Sequence, residues 1–520
     1  MRHAEGQGGA GEGVPVVLGP DERVDGPHDI PGHIPTLGAH DRGSPTLIVV
    51  SSGSDFLLLH AADAPARGLA DWLADRLRVA IGEGRLPVGG RLPATRTLAA
   101  ELGVSRGVVT EAYRRLAEEG HVTGRGRAGT VVTAVPASPL AATAHSAPTV
   151  FPATPGADVF DVVREAPARI DLSPGVPDLT AFPRAAWLRA ERAVLSRLSS
   201  AELGYGDPRG VPALRAAVTR WLARTRGIAA HPDEVVVVTG VAQALALLAE
   251  ALRSVGITEL ALEDPGSLGV RQHLGHHGLA TPPVPVDDHG LVVSELHAGA
   301  VLVTPAHQFP TGVVLAPHRR AELERWGGLV VEDDYDAEHR YDRPPVPALK
   351  AAMPDRVCYA GSVSKLLAPA LRTGWLLVPP DLRDAVVAAK RFADLGSTAL
   401  PQLVLAELMD SGELEKHLRL LRRRHVRRRD AMTRAIADHL PGARVHGVAA
   451  GLYLTVTFPD DVSDTDLAAA ALDLGVKAQP LSWHAQRPTR PGLVLGYAAN
   501  PGSVLTEGIA AIAKALHQLR

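Results

Sequence analysis

A lysine stands in a stretch of small residues and is followed seven positions later by an arginine, in the run Ser362-Val-Ser364-Lys365-Leu-Leu-Ala-Pro-Ala-Leu-Arg372. A lysine amine forms a Schiff base with a carbonyl group, and it becomes nucleophilic when it is desolvated or lies beside another cation. The two serine hydroxyls and the guanidinium are donors that suit a phosphate. A lysine with a phosphate clamp is what pyridoxal 5'-phosphate requires. The motif alone is moderately specific, so it needs support from other cofactor contacts.

A carboxylate is the second requirement, because a pyridine nitrogen that stays protonated needs one beside it. The run Glu332-Asp333-Asp334-Tyr335 ends an apolar stretch and supplies several. We expect Asp333 to face the ring nitrogen and Tyr335 to meet the ring hydroxyl. For this motif alone, an acidic loop that binds a metal or has no role is the alternative.

A helix start is the third requirement, because backbone N–H groups at that position bind phosphate. Gly240, Val241 and Ala242 follow an apolar run and open a helical pattern. Their small side chains allow a phosphate to approach closely. Glycine is common at turns from strand to helix, so this signal is weak until it is combined with Ser362 and Arg372.

The composition limits the classes of protein that need to be considered. The chain has 520 residues, which predicts two to four domains, and it is 46% hydrophobic. Its net formal charge of -3 provides no global basic field, so any nucleic-acid contact must be local. The single cysteine, Cys358, excludes an internal disulfide framework. With no apolar run approaching the ~20 residues of a membrane span and no signal-peptide pattern, we expect a cytoplasmic protein.

Residues 169–520 alternate short Val/Leu-rich runs with longer helical patterns, which predicts an α/β domain with a mostly parallel sheet. Ligands bind at the carboxyl ends of the strands in such sheets, where the polar motifs lie. After about residue 400 the pattern changes to long helices and a strand-containing tail, which we interpret as a smaller α+β domain. The predicted buried strands begin at Val235, Glu259, Ala300, Gly328, Val357 and Thr373.

Residues 65–134 predict a different kind of domain. Apolar residues at helical spacing begin near Leu69. They are followed by a turn-rich bridge, a short helix over Thr97–Leu102 and a break at Gly103. Ser105 is a suitable N-cap for a second helix running to Glu119, and residues 121–132 alternate like a small hairpin. Helix, glycine turn, helix and hairpin together indicate a winged helix-turn-helix.

This segment is locally basic, since residues 69–132 hold ten arginines and seven acidic residues. The arginines at the helix starts and in the wing would face phosphates and base edges. A solvated pair of helices without a ligand is the alternative. The residues predicted to contact double-stranded DNA are Arg96, Ser105, Arg106, Thr110, Arg125, Arg127 and Gly129.

The remaining segments lack a globular pattern. Residues 1–64 have no periodicity, and we interpret them as a disordered extension, with the true start codon left open. Residues 135–168 are rich in Ala, Pro and Thr, which predicts a flexible linker. The histidines between His273 and His277 have no accompanying ligand cluster, so we expect a helix end and no metal site. The basic run Arg422–Arg429 is interpreted as a solvated bridging helix, with DNA contact as the alternative.

The first domain resembles the DNA-binding domain of the GntR family. The match runs through Ile81-x-x-Gly84-Arg-Leu-x-x-Gly-x-Arg91-Leu-Pro93-x-x-Arg96-x-Leu-Ala-x-x-Leu-Gly103-Val-Ser-Arg106 and continues through Ala112-Tyr113-x-x-Leu116-x-x-x-Gly120 and Gly129-Thr. Val108 departs from the family, which often has threonine there. The resemblance implies binding to an operator made of repeated half-sites.

The second domain resembles the fold type I aminotransferases over roughly residues 180–500. The match includes Tyr205-Gly-Asp-Pro, Glu263-Asp-Pro-Gly, His307-Gln-Phe-Pro-Thr-Gly and the three motifs above. The resemblance implies Lys365 as the Schiff-base lysine, Asp333 at the pyridine nitrogen, and Arg372 with Ser362 at the phosphate. It also implies that Tyr205 reaches the phosphate of a partner subunit, and therefore a homodimer. A GntR head on such a domain resembles the MocR subfamily of transcription regulators.

Two residues depart from the aminotransferase pattern. Ser267 stands where these enzymes usually place an aromatic ring that stacks on the cofactor. Val494 stands where they carry the arginine that binds the substrate carboxylate in a bidentate manner. Arg487 and Arg490 are near in sequence, but the sequence does not place either in the site. Both departures argue against ordinary transaminase turnover.

The sequence thus predicts a transcription regulator that senses pyridoxal phosphate, or an amine or amino acid that displaces Lys365 from it. Two alternatives stay open. One is an active aminotransferase with a fused DNA-binding head. The other is a regulator whose large domain serves only for dimerisation, which Ser267 and Val494 favour and which the retained Lys365, Asp333 and Arg372 disfavour.

Overall fold

The structure is a computed structural model that describes residues 68–126, 129–133, 149–342, 346–447, 449–459 and 462–520. It divides into two compact units, residues 1–144 and 145–520. The predicted disordered extension over residues 1–64 and the predicted DNA contact Arg127 lie outside the described residues.

The first unit is a winged helix-turn-helix, as the sequence predicts. Helices α1, α2 and α3 span Leu69–Gly82, Thr95–Glu101 and Arg106–Glu118, and the antiparallel wing consists of β1, Val122–Gly124, and β2, Thr130–Val132. Gly103 adopts a φ of 64° between α2 and α3, a left-handed conformation that favours glycine. Helix α2 begins two residues before the predicted start. The fully buried side chains of the core include Leu77, Ile81, Leu98, Val109 and Leu116.

A buried tyrosine ties α3 to the bridge before α2. Tyr113 donates a hydrogen bond from its hydroxyl to the carbonyl of Pro93 at 2.8 Å, and burial raises the pKa of Tyr113. We expect Tyr113→Phe to destabilise this unit by about 1 kcal/mol, because the Pro93 carbonyl loses its donor. Hydrogen exchange of the α1 and α3 amides in the full-length protein should accelerate about fivefold. Unchanged exchange rates would contradict this.

The second unit begins within the segment predicted to be a linker. Helix α4, Val159–Glu165, lies there, and the short strand β3, Ile170–Asp171, follows the segment. The prediction of a flexible linker over 135–168 is therefore wrong for its second half. Val159 and Val163 share one face of α4 and are buried in the same core as Trp483, and the Trp483 indole donates to the Pro152 carbonyl at 2.9 Å.

The large sheet has eight strands in the order β4-β11-β10-β9-β8-β5-β6-β7. The pairs among β10, β9, β8, β5 and β6 are parallel, whereas β11 is antiparallel to both β10 and β4, and β7 is antiparallel to β6. The prediction of a mostly parallel sheet is confirmed. The strands β4 to β11 are Val235–Val238, Ala261–Asp264, Pro283–Asp287, Gly290–Leu291, Ala300–Val303, Leu329–Asp334, Val357–Ser362 and Gly374–Leu377.

Helices cover both faces of this sheet, which explains why successive residues of its central strands are buried. Side chains alternate along a strand, so Val236 and Val238 pack in one core with α7 and α11, whereas Val235 and Val237 pack in another with α6 and α12. Cys358 is buried in the first of these cores. Helices α5 to α12 are Arg184–Arg197, Pro212–Arg226, Val241–Ser254, Leu268–His276, Pro317–Trp326, Leu349–Ala352, Pro380–Asp394 and Ala399–Asp410.

The smaller domain follows, built on the long helix α13, Glu413–His439. Its four-stranded sheet has the order β12-β13-β16-β15, and β14 pairs with β3. Within the basic run of α13, Arg424 and Arg428 form ion pairs with the buried Asp178. No helix in the described parts of the chain is long and apolar enough to cross a membrane. The other elements are β12, Arg444–His446; β13, Tyr453–Thr457; α14, Asp464–Asp473; β14, Val476–Lys477; β15, Gln479–Pro480; β16, Gly492–Gly496; and α15, Gly502–Gln518.

Candidate functional site

A cavity of about 670 Å³ lies where the carboxyl ends of β5, β8, β9 and β10 meet the start of α7. This is the edge of an α/β sheet at which ligands bind, and the volume falls in the range of small-molecule sites. The smaller domain and α4 complete its wall. Predicted site residues that line it are Val241, Ala242, Asp333, Tyr335, Ser362, Lys365 and Arg372.

Lys365 extends into this cavity from the turn after β10. Its Nζ donates a hydrogen bond to the carbonyl of Gly175. Burial lowers the pKa of Lys365, although the nearby Asp336 and Asp333 act in the opposite direction. A desolvated lysine has a larger neutral fraction near neutral pH, and the neutral amine is the nucleophile. The environment of Lys365 therefore suits attack on a carbonyl carbon.

Asp333 is the acidic residue of its run that is aimed at the cavity. Residues alternate in direction along β9, so Glu332 and Asp334 face the other side. There, Glu332 accepts the backbone N–H groups of Leu349 and Lys350, each at 3.0 Å. Only Asp333 of the three lines the cavity.

Asp334 is not available to a ligand in the cavity, because its carboxylate already has two partners within the protein. Its Oδ2 accepts from Arg226 Nε at 2.6 Å and from the Tyr359 hydroxyl at 2.5 Å. Both ion-paired side chains are buried, which gives this carboxylate a structural function.

The carboxyl of Asp333 lacks such a pair of donors. Its Oδ1 is buried and has no hydrogen-bond partner among the described residues. Burial, together with the like charges of Asp334 and Asp336, raises the pKa of Asp333 to about 7. A buried carboxylate without a donor is costly, and a cationic N–H donor in the cavity would relieve that cost.

The opposite end of the cavity suits an anion. Gly240 precedes α7 with a φ of 97°, and a Cβ atom there would lie 3.2 Å from Arg372 Nη1. Val241 and Ala242 then present the free N–H groups of a helix start. No described residue accepts a hydrogen bond from the Arg372 guanidinium, and Ser362 lies in the same wall. These donors together suit a phosphate.

Tyr335 lines the cavity, but its hydroxyl is already bonded. It donates to the carbonyl of His307 at 2.8 Å and lies 3.0 Å from the Tyr453 hydroxyl. His307 in turn pairs with the buried Asp336 at 2.8 Å. This network fixes the position of Tyr335 in the cavity wall. His307 begins one of the motifs that resemble the aminotransferases, but the sequence predicted no function for it.

Other wall residues were missed because they come from distant parts of the chain. Phe160 belongs to α4, inside the predicted linker, so nothing in its local composition marks it. The same holds for Gly175 and His484, which no motif singled out. The burial of Phe160 depends on an edge contact with Trp483, with ring centroids 6.4 Å apart.

The two departures from the aminotransferase pattern have clear positions. Ser267 lines the cavity and caps α8, since its Oγ accepts from the Val270 N–H at 3.3 Å. Val494 is buried in an apolar cluster with Tyr453 and Leu481. Arg487 forms an ion pair with Asp264 at 2.8 Å. Neither Arg487 nor Arg490 lines the cavity.

Tyr205 is not brought to the cavity of its own subunit. Its side chain is 96% exposed, between α5 and α6. The function that the resemblance gives it requires a partner subunit and stays a prediction.

The predicted DNA contacts share one property, which is that all of those described are solvent-exposed. Arg106 begins α3 and lies 3.4 Å from the hydroxyl of Thr95, and Thr110 donates back to the Arg106 carbonyl at 2.9 Å. The Ser105 side chain makes no capping bond, so the predicted cap is absent even though the residue precedes α3. The exposed residues of the set are Arg96, Ser105, Arg106, Thr110, Arg125 and Gly129.

Comparison with known proteins agrees with both units. Residues 69–132 match the family model of bacterial regulatory proteins of the gntR family. Residues 168–485 match that of aminotransferase class I and II. Among solved structures, the Pyrococcus horikoshii kynurenine aminotransferase in complex with PMP has a TM-score of 0.64 and 27% identity, covering 69% of this chain and 93% of that one.

Full-length relatives combine both parts. A probable rhizopine catabolism regulatory protein MocR of Rhizobium meliloti is 33% identical, over 84% of this chain and 91% of its own. The pyridoxine biosynthesis transcriptional regulator PdxR of Corynebacterium glutamicum is 30% identical, over 85% of this chain and 95% of its own. The chain belongs to the MocR subfamily of GntR-type transcription regulators, in which a winged helix-turn-helix is joined to a fold type I aminotransferase-like domain.

Proposed function

We propose that this transcription regulator holds pyridoxal 5'-phosphate at Lys365. We further propose that the cofactor, or an amine or amino acid that exchanges at this lysine, changes the affinity of the protein for operator DNA. The observation that carries the proposal is that Lys365 and the unpartnered oxygen of Asp333 line one cavity. Such a ligand acts by binding the two states of the protein with different affinities.

The residues of the cavity fit this cofactor. Asp333 would accept the N–H of the protonated pyridine, and Tyr335 would lie near the ring hydroxyl. Arg372, Ser362 and the N–H groups at the start of α7 would bind the phosphate. When bound, the cofactor would supply an aldehyde carbon that forms a carbon–nitrogen double bond with the Lys365 amine or with another primary amine in its place.

The surrounding residues keep Lys365 in place for this exchange. Its backbone carbonyl lies 3.3 Å from His339 Nε2, and the carbonyl of the next residue, Leu366, lies 3.1 Å from His417 Nε2. The side chain is meanwhile held by the Gly175 carbonyl. When another amine replaces Lys365, that carbonyl is a ready acceptor for the released ammonium group.

We also propose a homodimer in which Tyr205 reaches the phosphate of the partner's cofactor. The support is its 96% exposure, since a tyrosine ring left in water forfeits the free energy of burial. Sedimentation of the full-length protein tests this, because a monomer at micromolar concentration would exclude it.

The predicted contact of Arg106 with DNA implies that Arg106→Ala loses affinity for the operator. We expect binding to a duplex from the intergenic region beside the gene to weaken about tenfold, because an exposed arginine at the start of α3 would be lost from the DNA contact. Fluorescence anisotropy at several salt concentrations, with and without pyridoxal phosphate, measures this loss and the effect of the cofactor.

A matched control lies on the same helix. Arg114 of α3 is ion-paired with Glu111 at 2.5 Å and also with Glu118. Arg114→Ala should leave the affinity nearly unchanged. Equal losses in the two variants would contradict a specific contact by Arg106. An affinity of the wild type that does not respond to pyridoxal phosphate or to any amine would contradict the sensing part of the proposal.

An active aminotransferase is the second candidate, because Lys365, Asp333 and Arg372 all line the cavity. Steady transfer of an amino group from an α-amino acid to a keto acid, without sequence-specific DNA binding, would favour it. The buried Val494 argues against it, since a valine cannot bind a carboxylate. A domain used only for dimerisation would show no cofactor binding at all.

A further inference from the structure

Beyond the residues proposed to bind the cofactor, the cavity wall offers little positive charge, which is unusual for a site that would receive an amino acid. The smaller domain contributes Leu452, Tyr453, Gln479 and His484 to it. Helix α4 contributes Phe160, Val163 and Arg164, and β3 contributes Asp171. Most of these side chains are apolar or uncharged, and an α-carboxylate needs a cationic partner when it is buried.

The cations near this space have other partners or functions, or lie largely in solvent. Val494 has replaced the expected arginine, and Arg487 is bound to the buried Asp264 at 2.8 Å. Arg164 is paired with Asp161 at 2.6 Å, and both side chains are largely in solvent. Arg372 lies beside Gly240 at the phosphate end. Lys365 is itself the group that is exchanged.

Acidic groups in the same wall favour a cation over an anion. Asp171 lines the cavity and is 3.8 Å from Lys477, which is a loose pair. Glu263 lines it as well and accepts from the Thr304 hydroxyl at 2.7 Å. Burial raises the pKa of Glu263 to about 7, so the negative charge of this wall is mainly that of Asp171. A carboxylate entering this space would meet that like charge, whereas an incoming ammonium group would be attracted.

This wall also holds an uncharged donor. His484 is 1% exposed and lines the cavity. Its Nδ1 accepts the backbone N–H of Leu268 at 3.3 Å, so Nε2 carries the proton. Nε2 is buried and has no acceptor among the described residues. Burial lowers the pKa of His484 to about 3, which keeps the ring neutral.

From this arrangement we infer that the effector is a primary amine without a carboxylate on its amine-bearing carbon. We also infer that His484 Nε2–H donates to a hydroxyl or carbonyl oxygen on that amine. The inference rests on the proposed function and specifies the class of effector. The binding site excludes α-amino acids because no cation outside the phosphate end is free for their carboxylate, and it selects among amines through a neutral donor.

The first test compares molecules that differ only in the carboxylate. The full-length protein loaded with pyridoxal phosphate is titrated with tyramine and L-tyrosine, and with ethanolamine and L-serine, following the absorbance of the bound cofactor. We expect each amine to bind at least about tenfold more tightly than its amino acid. Equal or tighter binding of the amino acids would overturn the inference, and so would the absence of any response to the amines.

The same titration separates this inference from the proposed function. If the protein never acquires the absorbance of lysine-bound cofactor, the proposed function fails. If it acquires that absorbance and amines do not alter it, only the inference on the effector fails. Loss of amino-acid binding in Arg164→Ala would identify Arg164 as a carboxylate receptor, and this too would overturn the inference.

A second test addresses His484 with ethanolamine and ethylamine, which differ in one hydroxyl group. In the wild type we expect ethanolamine to bind about fivefold more tightly. In His484→Phe, which keeps an aromatic ring, that ratio should fall to about one while the affinity for ethylamine is retained. His484→Gln retains an N–H donor and should restore part of the ratio. A ratio unchanged in both variants would show that His484 only packs against Phe309, and would overturn its function as a donor.

Discussion

Replacing Lys365 with alanine is expected to abolish the visible absorbance that pyridoxal phosphate acquires when it is bound through a lysine. Lys365 Nζ is the amine in this cavity that is both desolvated and held beside Asp333 and Asp336. The variant keeps Asp333 and the phosphate-binding residues, so some non-covalent affinity should remain. Borohydride reduction followed by peptide mapping gives an independent measurement. Cofactor mass should appear on the peptide containing Lys365 in the wild type and nowhere in Lys365→Ala.

A second buried lysine provides the control. Lys350 donates to the Pro354 carbonyl at 2.6 Å, and burial lowers the pKa of Lys350 as it does that of Lys365. Lys350→Met should retain the absorbance, because Lys350 does not line the cavity. Without cofactor, the wild type, Lys365→Ala and Lys350→Met should bind DNA with equal affinity. Cofactor absorbance that persists in Lys365→Ala would exclude Lys365 as the attachment site.

The sequence predicts which residues meet at the cavity when each of them lies at the end of a buried strand. Asp333 and Lys365 each follow a buried run, and the alternation of β9 puts Asp333 on the cavity side while its neighbours Glu332 and Asp334 face buried partners. Parallel strands bring such strand ends to one edge of the sheet. The fold class and the site position therefore follow from periodicity and from a few polar residues.

The prediction failed where burial depends on a partner far away in sequence. Helix α4 is short, and its surroundings are rich in Ala, Pro and Thr, so its composition is that of a linker. Val159 and Val163 are nevertheless buried, because Trp483 and the smaller domain provide an apolar surface for them. The sequence could not indicate the free N–H of His484 either, since it depends on which ring nitrogen accepts the hydrogen bond from Leu268. These are tertiary contacts that no local pattern records.

Asp333→Asn should have opposite effects on the protein with and without cofactor. In the cofactor-free wild type the folded Asp333 keeps its proton up to about pH 7, whereas in the unfolded chain the carboxyl loses it near its ordinary value of 3.8. The unfolded state thus binds fewer protons between these pH values, and stability falls as pH rises through this window. An asparagine does not titrate. We therefore expect cofactor-free Asp333→Asn to be more stable than the wild type at pH 8, by on the order of 2 kcal/mol, and this gain should vanish near pH 4.

With pyridoxal phosphate bound, the wild type should be more stable than Asp333→Asn. The cofactor supplies a cationic donor to the Asp333 carboxylate, and removing that charge should weaken binding about 100-fold. Thermal unfolding at pH 5 and pH 8, with and without cofactor, measures both effects. The neighbouring Asp334→Asn is the contrasting variant, because it leaves the buried Arg226 without its ion-pair partner and should lose about 3–5 kcal/mol in either state. If Asp333→Asn instead destabilised the protein equally with and without cofactor, Asp333 would be a structural residue like Asp334, and the cavity would lack the carboxylate that the cofactor ring requires.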